Sequence, residues 1–125
     1  MIKVQIGDSR KLIKTIDDSS IDCVVTSPPY WGLRDYGHVD QIGLEDTPEE
    51  YLSKLINFFD DVKTKIRDVG SVFVNMGDTY NNKVGVGCGD KIKYGSKNGL
   101  YCLRSGTDSL PSKCLCMIPS RFAWE

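Results

Sequence analysis

The chain has 125 residues, of which 40% are hydrophobic and 26% charged, and a formal net charge of −1. This balance excludes a disordered or fibrous chain and supplies enough apolar material for one packed core. The near-neutral charge excludes a uniformly basic DNA-coating protein, and no apolar run is long enough to span a bilayer.

In chain order, Ile2, Val4 and Ile6 alternate with Lys3 and Gln5, which predicts a first strand. The chain starts directly on this pattern without a signal-peptide layout, so the cytosol is the expected compartment. Gly7-Asp8-Ser9 turns the chain, and Asp8 or Ser9 caps a short helix carrying Leu12, Ile13 and Ile16. Asp17-Asp18-Ser19-Ser20 breaks that helix, and Ile21 to Thr26 is a second strand rich in β-branched residues, with Cys23 read as core. Strand, short helix and strand predict a parallel βαβ crossover.

Trp31 to Asp46 has no period and reads as a loop. Thr47-Pro48-Glu49-Glu50 is a strong helix start, with Thr47 as cap, Pro48 in the first turn and Glu50 completing a capping box. Tyr51, Leu52, Leu55, Ile56, Phe59, Val62 and Ile66 follow at helical spacing, and Gly70 fits the C-terminal cap region. Ser71 to Met76 is a third strand. Residues 79–112 read as a long flexible loop rich in Gly, Asn, Ser and Lys. Leu115 to Ile118 is a fourth strand or a helix lead-in, and Pro119 onwards opens another helix that has no terminator before Glu125.

Charge is unevenly spread. From Asp35 to Asp68 there are nine acids and four bases, whereas from Lys83 to Arg121 there are seven bases and two acids. The second stretch, with Tyr94 and Tyr101 interleaved, could track phosphates and stack bases, and a solvated loop is the equally weighted alternative. Five cysteines, with Cys114-Leu-Cys116 at the wrong spacing for a knuckle, argue against disulfides and against a zinc site. His38, the single histidine, lies in a polar loop and reads as a surface residue.

The densest signal is Ser27-Pro28-Pro29-Tyr30, directly after the second strand. Two prolines cannot continue a sheet ladder, so the strand stops and presents a stiff extended loop at its carboxyl end. In open α/β sheets that is where ligands bind. A hydroxyl, fixed carbonyls and an aromatic ring are the parts needed to hold a planar base and its amine.

With these residues the chain resembles the amino-group DNA methyltransferases, whose catalytic loop reads Asp/Asn/Ser-Pro-Pro-Tyr/Phe/Trp. Gly7-Asp8, the Tyr30-to-Tyr36 loop, the stretch from Gly70 to Tyr80, and Lys113 to Ala123 are similar to further family segments in the same order. The resemblance implies an α/β fold, part of a Rossmann-like S-adenosylmethionine-dependent methyltransferase sheet. It also implies Ser27, Pro28, Pro29 and Tyr30 as catalytic loop, and Asp8, Ser27 and Pro28 as cofactor contacts. Trp31, Arg34, Lys91 and Lys93 are the expected nucleic-acid contacts, with double-stranded DNA as partner, no resident metal and a place in a restriction-modification system.

The order of segments matches the circularly permuted group, in which the catalytic half comes first. The Gly-rich cofactor motif of that group is not found. Gly85-Val86-Gly87-Cys88-Gly89 follows no convincing strand and is rejected as that motif. The chain is therefore expected to be the N-terminal catalytic portion, with a missing C-terminal half or partner fragment. The serine form of the loop favours cytosine N4 over adenine N6. Two further readings stay open: a non-catalytic nucleic-acid-binding module, and an inactive truncated remnant.

Overall fold

The computed structural model describes residues 2–81 and 108–125. Its elements are helix α1 (Ser9–Leu12) running into a tight 3-10 turn (Ile13–Thr15), strand β1 (Ile21–Thr26), helix α2 (Pro48–Lys65), strand β2 (Ile66–Val74) and helix α3 (Ile118–Trp124). The result is a small α/β arrangement in which β1 and β2 pair in parallel, with α2 as the crossover between them.

Helix α2 forms where the cap signature places it. The Thr47 side chain accepts from the Glu50 N–H at 3.2 Å, and Pro48 occupies the first turn, where its missing N–H costs nothing. Tyr51, Leu52, Leu55 and Val62 form its buried stripe. The stripe faces Trp31 from the loop after β1, and Cys116 and Ile118 from the chain leading into α3; Ile42, Met76, Leu110 and Phe122 pack around them. Phe59 meets Phe122 edge-to-face at a centroid distance of 5.0 Å, joining α2 to α3. The ion pair from Arg121 Nη2 to Glu49 Oε1, at 2.7 Å, ties the same two helices at their surface.

Asn81 is fully buried and stitches two distant stretches together. Its N–H donates to Cys114 O at 2.7 Å, its carbonyl accepts from Lys113 N at 2.8 Å, and its amide side chain donates to Leu110 O and Pro111 O. An antiparallel bridge between Tyr80 and Leu115 lies beside it.

Four sequence expectations are corrected here. Residues 2–6 form no strand: Ile2, Val4 and Ile6 are 80–97% exposed, and no strand among the described residues pairs with them. The parallel crossover accordingly joins β1 to β2 and does not begin in the first segment. Cys23 is exposed, since no layer of the described residues covers its face of β1. Gly70 does not cap α2, which ends at Lys65 with Ile66 already extended. Gly70 sits inside β2, at a register jump where Ile21 faces Ile66 but Cys23 faces Ser71. A Cβ there would lie 2.4 Å from the Ile66 side chain and 3.0 Å from the carbonyls of Arg67 and Asp22, so the bulge accepts only glycine.

The Leu115–Ile118 segment is a helix lead-in with a single bridge, and α3 starts one residue before Pro119. Most of the expected 79–112 loop lies outside the described residues. No helix among the described residues is long and apolar enough to cross a membrane.

Candidate nucleotide-methylation site

Because β1 and β2 are parallel and Thr26 is registered with Val74, both strands deliver their following residues to the same edge of the sheet. Ser27-Pro28-Pro29-Tyr30 leaves β1 there, and Asn75-Met76-Gly77-Asp78 leaves β2 beside it, joined by Asn75 N–H to Thr26 O at 2.9 Å. The Tyr30 ring lies against Gly77: a Cβ on that glycine would approach the ring at 3.0 Å. Gly77 thus permits the close approach of the aromatic ring to the second strand's exit.

The loop is held from several sides. Tyr51, fully buried in the first turns of α2, donates its phenol to Pro29 O at 2.9 Å. Burial is the main cause that pushes its pKa far above the usual tyrosine value, with Glu45 and Tyr30 adding to it, so it remains a neutral donor. Trp31 is 3% exposed and its indole N–H donates to Glu45 O at 2.9 Å. Gly43, at φ +106°, places its backbone where a Cβ would meet Tyr30 O at 3.0 Å, and its carbonyl accepts from Gly32 N at 2.8 Å.

Ser27 is exposed, and its hydroxyl lies 3.4 Å from the Tyr30 hydroxyl. A serine hydroxyl can donate one hydrogen bond and still offer lone pairs, so contact with Tyr30 leaves Ser27 able to accept from an amine. A crevice of about 40 Å³ opens between Tyr30, Trp31, Leu33, Gly77, Asp78, Thr79 and Ile118. That volume suits about one water, whose share of liquid is ~30 Å³, and cannot hold a nucleoside. A larger, open hollow of about 630 Å³ on α2, lined by Glu49, Glu50, Ser53 and Lys54, includes none of the loop residues.

The other expected site residues fall in different places. Asp8 caps α1, and both its carboxylate oxygens are engaged by Arg10 in a two-pronged pair at 2.9 and 3.0 Å. These bonds hold its carboxyl below the usual range. Arg34 is exposed and lies over the Tyr36 ring, 5.6 Å from its centroid. Trp31 belongs to the core and does not face solvent, whereas Lys91 and Lys93 lie outside the described residues. Asp78 both lines the crevice and caps: its carboxylate accepts from Thr79 N at 2.9 Å and Ile118 N at 3.1 Å.

Two organising residues were not read from the sequence. Gln41 bridges its loop, accepting from Tyr36 N at 2.7 Å and donating to Arg34 O at 2.9 Å. Tyr51 was read only as part of the apolar stripe. Its hydroxyl was the available signal, since a buried phenol requires a partner. Among the described residues no group of three or more His, Cys, Asp or Glu side chains is placed to hold a metal ion.

A proline-stiffened loop with an exposed hydroxyl and a backed aromatic ring, at the carboxyl edge of a parallel pair, defines an α/β protein built to present a polar loop to a ligand. Comparison with known proteins makes the assignment specific. Residues 21–116 match the family model of N6/N4 DNA methylases, so the chain belongs to that amino-methyltransferase family.

It is 46% identical over 80 residues to the Type II methyltransferase M.SmaI of Serratia marcescens, covering 64% of this chain and 27% of that protein. Over 83 residues it is 46% identical to the Type II methyltransferase M.MwoI of Methanothermobacter wolfeii, covering 66% of this chain and 12% of that one. The Type II methyltransferase M.Cfr9I of Citrobacter freundii is 43% identical over 76 residues, which are 61% of this chain and 25% of the relative. The chain thus matches about a quarter or less of the length of these relatives. No solved structure matches it.

Proposed function

We propose that this chain carries the base-holding loop of a DNA methyltransferase that modifies the exocyclic amine of a base flipped out of duplex DNA. The observation that supports this most is the position of Ser27-Pro28-Pro29-Tyr30 at the shared carboxyl edge of β1 and β2, with Tyr30 backed by Gly77.

An exocyclic amine is a weak nucleophile because its lone pair is delocalised into the ring. Acceptors placed around the NH2 favour the more tetrahedral nitrogen needed for attack, and groups fixed in advance do so without reorganising. Ser27 Oγ and the Pro28 carbonyl are the acceptors in this reading, and the Tyr30 ring stacks on the flipped base. Arg34 contributes at the loop surface. Trp31, given its burial, acts by anchoring the loop. The serine form of the loop supports cytosine N4 as the target, and adenine N6 is the alternative, since either amine can donate to the same acceptors.

The methyl donor in this reading is S-adenosylmethionine, which supplies an electrophilic methyl on a sulfonium. The described residues do not enclose a site for it. The crevice beneath Tyr30 is too small, and Asp8, the expected adenosine contact, is already paired with Arg10. The completed Rossmann-like sheet, the remaining cofactor contacts and the DNA-specifying region therefore belong to the proposed whole enzyme, of which residues 1–125 form the N-terminal catalytic portion. Its proposed setting is a cytoplasmic restriction-modification system.

The test, made with the chain supplied with its C-terminal half, is transfer of labelled methyl from S-adenosylmethionine to mixed-sequence duplex DNA, followed by digestion to nucleosides. Label on cytosine N4 is expected, and a double substitution Ser27→Ala with Tyr30→Ala abolishes it. Label on adenine N6 would replace the base assignment. DNA binding without transfer, persisting when a C-terminal half is supplied, would favour a binding module instead.

A further inference from the structure

The Ser-Pro-Pro-Tyr loop carries a row of carbonyls, and its two prolines offer no N–H with which neighbouring segments could be paired. The structure distributes these carbonyls unequally. Thr26 O accepts from Asn75 N at 2.9 Å, Pro29 O from the Tyr51 phenol at 2.9 Å, and Tyr30 O from Leu33 N at 3.4 Å. The Ser27 and Pro28 carbonyls accept no hydrogen bond from the described residues; Ser27 is exposed, whereas Pro28 is buried. A carbonyl that the protein leaves unpaired is available to a bound donor.

We propose that Tyr51 is a positioning residue of the methylation site: by donating to Pro29 O it fixes the second proline's peptide plane and leaves the Pro28 carbonyl as the acceptor for the base amine. This inference rests on the amine-binding reading given above. Several observations converge on it. Tyr51 is fully buried at the start of a helix whose entry is fixed by the Thr47 cap and Pro48. It therefore offers a rigid reference point, and its ring reaches across from α2 to a loop 22 residues earlier in the chain. Phenylalanine would fill the same apolar space, so what tyrosine adds is the donor. A tyrosine phenol is already neutral at neutral pH, and burial raises its pKa further, so the donor is retained into more alkaline conditions as well. Before the prolines, Thr26 O is held by the Asn75 N–H at 2.9 Å, and after them the Gly43 backbone packs so near that a Cβ on it would lie 3.0 Å from Tyr30 O. The loop is thereby held before and after the two prolines, and the Ser27 and Pro28 carbonyls between these anchors are left unpaired by the described residues.

The test uses the whole chain with 13C-labelled proline carbonyls, followed by NMR. The probes are 1-methylcytosine, which carries the amine, and 1-methyluracil, which has an oxygen in its place. In the wild type the Pro28 carbonyl is expected to shift with 1-methylcytosine and not with 1-methyluracil, while Pro29 stays unmoved. In Tyr51→Phe, with helical circular dichroism unchanged, the Pro29 signal moves to that of a freer carbonyl. Amine-dependent binding at Pro28 then weakens about tenfold, as loss of one positioned hydrogen bond implies.

Unchanged amine binding in Tyr51→Phe overturns the positioning role and leaves the amine-binding reading intact. A wild-type Pro29 carbonyl that responds to 1-methylcytosine as strongly as Pro28 also overturns it, and that arm decides the matter if the variant does not fold. A wild type that fails to distinguish the two bases overturns the amine-binding reading itself, and the role of Tyr51 falls with it.

Discussion

The helical side of the molecule and its sheet differ in how completely they are packed. Along α2, Tyr51, Leu52 and Leu55 are at most 1% exposed, and they close on Trp31, Cys116 and Ile118 from other parts of the chain. Along the sheet, Val25 and Phe73 stand opposite each other at 78% and 60% exposure. The core of the described residues therefore lies between helices and loops, whereas a parallel pair is ordinarily covered on both faces. The loop from Ser27 to Tyr30 sits at the boundary. Its far end, from Pro29 to Trp31, is anchored in the packed side, while Ser27 and the strand that leads to it lie on the open side. The residues that position the loop are thus already assembled, and the surface around Ser27 is left accessible.

Substitutions on the two sides separate this contrast, the largest effect first. Leu55→Ala should cost about 3 kcal/mol in urea unfolding, through lost burial and the cavity it leaves. Phe73→Ser on the open sheet should cost well under ~1 kcal/mol. Equal losses would mean that the sheet face is covered in solution. Asn81→Ala should cost about 1–2 kcal/mol, because it removes two part-buried hydrogen bonds to the carbonyls of Leu110 and Pro111 and empties a fully buried side-chain position. A loss confined to the amide protection of residues 108–116, measured by hydrogen exchange, would show that the stitch is local. Thr47→Ala should cost about 1 kcal/mol by removing the α2 cap, and Thr47→Ser should restore most of it.

The smallest effect belongs to the Glu49–Arg121 pair. Partial burial is the largest single influence on the Glu49 carboxyl and pulls it upward, but the Arg121 hydrogen bond, a backbone hydrogen bond and the Arg121 charge together outweigh it, and the net pKa lies below the ordinary value of 4.5. A depressed carboxylate stabilises the fold above its unfolded pKa, and that contribution is lost as pH falls through the folded value. Melting followed from neutral pH into the acid range should therefore show a slightly steeper acid loss for the wild type than for Glu49→Gln. The pair is half-exposed and screened, so the difference is at most about 0.5 kcal/mol.

The sequence was most legible where one local rule governs. Thr47-Pro48 predicted the start of α2, and the double proline predicted the end of β1, because caps and missing N–H groups act within a few residues. It was least legible where the outcome depends on partners distant in sequence. Ile2-Lys3-Val4-Gln5-Ile6 has strand periodicity, yet periodicity does not supply a neighbour to pair with. Gly70 resembles a helix cap by position, and only the folded bulge, with the Ile66 side chain, Arg67 O and Asp22 O crowding the place of a Cβ, shows why glycine is needed. The core role of Tyr51 was legible from its spacing, but its bond to Pro29 required knowing that α2 folds back on the loop. Asn81 carried no signal, as a lone asparagine in a polar stretch reads as loop.

The Asn81 stitch brings residues 80–81 against 110–115 in space, so the chain between these points begins and ends at one closed gate. Closure entropy depends only weakly on the length of chain spanned, by about 0.6 kcal/mol per doubling. The Asn81 bonds can therefore hold residues 80–81 and 110–115 together, and α3 beside α2, with little dependence on how many residues separate the two anchors.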